Sequence, residues 1–102
     1  MDIRTIRKKV RANEYDLSHH AHQERQEEQI FIEELEKTIL KGAIIEQYPN
    51  DPRGPSCLVA TKNLHAVCGF RKGRVLVVTL YRPEPPVWIN WKNRARELKD
   101  RV

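Results

Sequence analysis

The residues in this chain that can move protons near neutral pH are few. His65 and Thr79 fall on two stretches, Leu64–Phe70 and Arg74–Tyr81, whose apolar residues alternate as in strands. An imidazole serves as acid or base near neutrality, and the hydroxyls of Thr79 and Tyr81 can orient a phosphate or a water. His20, Glu24 and Glu27 share one face of a helical stretch, so a carboxylate can hold the His20 ring as a base. His19, His20 and His22 do not make a metal site, because helical spacing spreads adjacent side chains over different faces. No acid or cysteine completes a ligand pattern there, and no cofactor is expected. Cys57 and Cys68 are too few for a disulfide framework or a four-ligand site and read as reduced thiols on strands.

The elements that position these groups follow from periodicity. Ile3, Ile6 and Val10 mark a short amphipathic helix among arginines and lysines. Ser18 can cap a second, unusually polar helix running to about Gln29, with Ala21 almost its only packing residue. Phe31, Leu35 and Ile39 form the stripe of a third helix, and Gly42 stands where a left-handed C-cap belongs. The period then becomes extended: Ala43–Tyr48, Cys57–Thr61, Leu64–Phe70 and Arg74–Tyr81 read as four antiparallel strands. Pro83, Pro85 and Pro86 close the sheet, and Trp88 and Trp91 lead into a basic helical tail. Helices followed by a meander predict an α+β fold with N-terminal helices on a four-stranded antiparallel sheet.

Register in the last hairpin is set by the buried face. If Leu64, Ala66, Cys68 and Phe70 bury with Leu76, Val78 and Leu80, then Phe70 pairs with Arg74 across a three-residue Arg71-Lys72-Gly73 loop. Cys68 then opposes Leu76, Ala66 opposes Val78, and His65 opposes Thr79 on the open face. On the residues alone this pair reads first as a histidine hydrogen-bonded to a threonine on a half-exposed sheet.

The 102 residues fit one domain (1–102), with an N-terminal arm over 1–13 and a basic tail over 95–102. No run approaches the length of a membrane helix, and the first ten residues lack the apolar core of a secretory signal, so a cytoplasmic protein is expected. The net charge of +5 is unevenly spread. Glu14 to Glu36 holds eight acids and only Arg25, whereas Lys37 to Arg82 holds eight bases against Glu46 and Asp51. Such asymmetry suits a phosphate-bearing partner on the basic side, although a solvated surface accounts for it equally well.

Seven blocks in order carry a family resemblance. They are Ser18, His20-Ala21, Ile30, Gly42 with Ile45-Glu46-Gln47-Tyr48-Pro49, Leu64-His65-Ala66-Val67, Thr79-Leu80-Tyr81-Arg82-Pro83, and Trp88 with Arg94. Over about 17–94 the chain resembles a bacterial family of domains of unknown function, itself similar to the RelE-like and barnase-like ribonuclease toxins. The resemblance implies a toxin-type, metal-independent endoribonuclease with RNA as substrate and a cognate antitoxin-like protein as partner. His20, His65, Thr79, Tyr81 and Arg94 would then be catalytic, and Arg53, Arg71, Lys72 and Arg82 would bind substrate. Many members carry arginines where Glu24 and Glu28 stand, so this helix offers fewer phosphate contacts. A non-catalytic module binding RNA or protein on the same sheet face is the other reading.

Overall fold

The computed structural model describes residues 1–84, 87, 88 and 90–93. Arg94 and the basic tail lie outside the described residues. The order is α1 (Ile3–Arg11), β1 (Tyr15–Leu17), α2 (His19–Glu27), α3 (Ile32–Lys41), β2 (Ala43–Tyr48), β3 (Ser56–Ala60), β4 (His65–Arg71) and β5 (Arg74–Tyr81). The fold is α+β, with three helices and a five-stranded mixed sheet in the order β1-β5-β4-β3-β2. The expected antiparallel meander is present as β2 to β5. The expectation of four strands is corrected by β1, which adds in parallel to β5 through Tyr15↔Val75 and Leu17↔Val77. Three residues inside a polar stretch are too few for alternation to show.

Each helix has a local cause. Asp2 caps α1 by accepting from the Arg4 amide at 2.9 Å, and Ile6 and Val10 are buried. Ser18 caps α2, as its position suggested, through the Ala21 amide at 3.0 Å. That helix stops at Glu27 rather than Gln29, where the chain turns left-handed at φ 54°. In α3, Leu35, Thr38 and Ile39 are buried, with Glu33 and Glu34 in the first turn and Lys41 in the last, matching the helix dipole. Gly42 is not left-handed: its φ of −77° and ψ of −177° are extended. Glycine is needed there for room, since a Cβ would come within 2.5 Å of the Thr38 carbonyl oxygen and 2.6 Å of that of Ala60.

The helices cover one sheet face. Ile6, Val10, Ala21, Ile30, Leu35 and Ile39 pack against Cys57, Val59, Ala66, Cys68, Val75, Val77 and Leu80. The hairpin register differs from expectation. Phe70 pairs with Val75 and Arg71 with Arg74, so the loop is the two residues Lys72-Gly73, both at positive φ (54° and 76°). This is the signature of a tight hairpin turn whose twist matches the strands. The core side of β5 is therefore Val75 and Val77. A bulge between Val77 and Thr79 then restores Leu80 to the core. In the unbroken apolar run Val75-Leu76-Val77-Val78, either parity satisfies alternation, so the sequence does not choose between them. Phe70, read as core, is 41% exposed because it lies at the hairpin end, beyond the main cluster.

With the bulge in place, Val67 opposes Thr79 and His65 opposes Tyr81, rather than His65 opposing Thr79. The sheet face away from the helices thus carries Ser56, Gly69 and Leu76 in one row, then Val67 and Thr79, then His65 and Tyr81.

Candidate functional site

A groove of about 370 Å³ opens at the Gly69 end of this outer face. Its floor is Ser56, Gly69, Leu76 and Val78; one wall is Ser18 and His20, and the other is the loop Asp51–Pro55, with Arg71 at the hairpin side. The loop wall is shaped by its own sequence. Asp51 accepts the Gly54 amide through its carbonyl at 2.9 Å and the Arg53 amide through its side chain at 2.9 Å, and Gly54 takes φ 110°. Pro52 stands at the second turn position, where its fixed φ is favoured. The Arg53 amide and, further, its guanidinium 3.4 Å away hold the Asp51 carboxyl below its ordinary value. The Arg53 side chain itself is 77% exposed. Ser56 is buried in the floor, and its hydroxyl makes no hydrogen bond of normal geometry among the described residues. It stands near enough to Asp51 to add slightly to that lowering.

The helix wall is fixed by β5. Strand β1 ends opposite Val77, which leaves the β5 edge without a strand partner beyond that point. Helix α2 supplies the partners instead. Ser18 donates its amide to Val77 O at 2.9 Å and its hydroxyl to Val78 O at 2.7 Å. Glu24 Oε1 accepts the Leu80 amide at 3.2 Å and the Thr79 hydroxyl in a short hydrogen bond. The same Oε1 lies 3.3 Å from His20 Nε2, one turn earlier on the helix.

The residues expected at the site are not all together. His20, Arg53 and Arg71 share the groove, and Thr79 reaches it through Glu24. His65 is fully buried at the other end of the face, with Trp88 edge-on to it at 4.5 Å. Its Nε2 lies 2.6 Å from the Trp91 carbonyl and its Nδ1 3.3 Å from the Tyr81 hydroxyl. Because a carbonyl only accepts, Nε2 carries a proton and donates it to Trp91. His65 therefore pins the segment after β5 onto the sheet, away from the groove. Arg82 pairs with Glu34 at 2.7 and 3.0 Å, tying the end of β5 to α3. That guanidinium holds the Glu34 carboxyl below its ordinary value. Lys72 lies at the exposed hairpin tip beside Arg71. Ser56 and Gly69 were not singled out from the sequence, since only the cross-strand register shows that they share a floor. Among the described residues no three His, Cys, Asp or Glu side chains are placed to hold a metal, and no helix is long and apolar enough to cross a membrane.

Fold and groove together define a small α+β domain with a histidine–carboxylate pair and two arginines on one open sheet face. The chain belongs to the DUF4258 family, a domain of unknown function, whose model matches residues 17–82. That span runs from Leu17, just before the α2 cap, to Arg82, so it contains the whole groove. No curated protein and no solved structure gives a significant match.

Proposed function

We propose that the groove seats one phosphodiester of an RNA strand and that the chain is a metal-independent endoribonuclease of the toxin type, kept in check by an antitoxin-like partner. The observation that carries this reading is the placement of His20, held against Glu24, on the wall of a groove that also presents Arg53 and Arg71. In such a reaction the ribose 2′-oxygen attacks phosphorus as His20 takes its proton. The bond from phosphorus to the 5′-oxygen breaks, and water in the open groove protonates the leaving oxygen. Products are a 2′,3′-cyclic phosphate and a 5′-hydroxyl end. Arg53 and Arg71 offset the charge that gathers on the phosphorane oxygens. The likeness of the family whose motifs the chain carries to RelE-like and barnase-like toxins favours the same chemistry. His65, buried under Trp88, is given no chemical role.

Purified protein and its His20→Ala and Arg53→Ala/Arg71→Ala variants, incubated with single-stranded RNA in EDTA, test the reading. Cleavage by the wild type is expected to fall at least a hundredfold in His20→Ala. RNA binding without cleavage by any form would establish the binding module instead.

A further inference from the structure

We infer that Glu24 is the positioning residue for His20: it clamps the imidazole by Nε2 and leaves Nδ1 as the atom that receives the substrate proton. The inference rests on the proposed ribonuclease reading and adds to it the atom that acts and the residue that aims it. Glu24 Oε1 gathers three groups from different parts of the chain: the Leu80 amide at 3.2 Å, the Thr79 hydroxyl, and His20 Nε2 at 3.3 Å. The first two are donors fixed on β5, so the oxygen is held by the sheet and not by its own flexible side chain. A carboxylate oxygen can only accept, so the ring nitrogen it faces is the one that carries the proton. No hydrogen bond to His20 Nδ1 is found among the described residues, the side chain is 66% exposed, and the residue lines the groove.

The opposite end of the helix turn is fixed as well. Ser18, two residues earlier, is bonded to Val77 O and Val78 O. His20 thus lies on the helix between two attachments to the same strand, at Ser18 and at Glu24. An imidazole positioned in advance avoids part of the ordering cost at the moment of reaction. The carboxylate then steadies the imidazolium formed by proton transfer, a gain that exists in the transition state and not in the bound substrate.

Glu24→Gln separates the clamp from the fold, because the amide oxygen still accepts from Leu80 and Thr79 while the charge beside His20 is gone. Expected is a fall in kcat of about tenfold or more, with KM within about twofold and the melting temperature unchanged. Thr79→Val, which releases one anchor of Glu24, is expected to lower kcat by a smaller factor in the same way. Glu24→Gln with wild-type kcat, alongside an inactive His20→Ala, would overturn the inference and leave the ribonuclease reading intact. Full cleavage by His20→Ala, or none by the wild type, would overturn both.

Discussion

The Ser18 hydroxyl donates to the Val78 carbonyl at 2.7 Å and, with the same oxygen, accepts from the Ala21 amide at 3.0 Å. One side chain thus caps a helix and satisfies a carbonyl freed by the β5 bulge. Ser18→Ala removes both bonds, and the loss is expected to be about 1–3 kcal/mol from the cap and the carbonyl left without its partner. Urea unfolding measures this directly. Ser18→Thr, which keeps the oxygen, should recover most of the difference.

The two-residue turn gives a second test. Lys72 holds φ 54°, a region that costs a branched-out L side chain roughly 1 kcal/mol, whereas asparagine tolerates it. Lys72→Asn creates Asn-Gly, the preferred pair for such a hairpin, and should raise the melting temperature by a few degrees at unchanged fold. A drop in melting temperature would speak for the three-residue loop that strand alternation first suggests.

Most of the fold was legible in the sequence. The stripes Ile6/Val10 and Leu35/Ile39, the Ser18 cap and the four meander strands all follow from local periodicity and capping chemistry. What was not legible depends on contacts between distant segments. Strand β1 exists because Tyr15–Leu17 finds the open edge of β5, and the two-residue turn and the bulge at Val78 each move the register by one step, which takes Thr79 from opposite His65 to opposite Val67. Both histidines were visible as candidates. The burial of His65 was not, because it depends on Trp88 and Trp91 folding back, which no local pattern encodes.

Gly42 is a site where the close approach of two elements, and not backbone freedom, demands glycine. A methyl at 2.5–2.6 Å from two backbone oxygens forces α3 away from β3. Gly42→Ala should cost about 1–3 kcal/mol, the range of an overpacked core, although alanine is otherwise the better residue beside a helix. Thermal unfolding of this variant beside Gly73→Ala separates the two causes, since Gly73 meets no atom within 4 Å but has φ 76°.

Stability should be greatest between about pH 5 and pH 9. On the acid side, Asp16 is held below its ordinary value by hydrogen bonds from Arg74, Asp51 by the Arg53 amide and Glu34 by Arg82. Groups with lowered folded-state values stabilise above their unfolded values and lose that contribution as pH falls through the folded ones, so unfolding should ease below about pH 4. On the alkaline side, burial pushes the Cys57 thiol up to about 11 and raises Cys68 as well. Burial and then the Glu36 carboxylate raise Tyr15 to about 12. These raised values favour the fold below the ordinary 9 to 10 and cease to do so as pH climbs through them. Melting temperature measured across pH should therefore fall at both ends, and Cys57→Ser should soften the alkaline fall.

Gly69 provides a test of the groove that touches no ionisable group. A Cβ there would meet the Pro55 carbonyl oxygen at 3.5 Å and the Ser56 Cβ at 3.7 Å, which are ordinary contacts, so the backbone accepts a side chain. Both neighbours line the groove, so the added atoms enter its floor. Valine suits a strand and should leave melting temperature near the wild-type value. On the proposed reading its two methyl groups take space that a phosphodiester would fill, and RNA affinity should drop about tenfold, near 1.4 kcal/mol. A Gly69→Val protein that folds normally and handles RNA as the wild type does would place the RNA site elsewhere than in this groove.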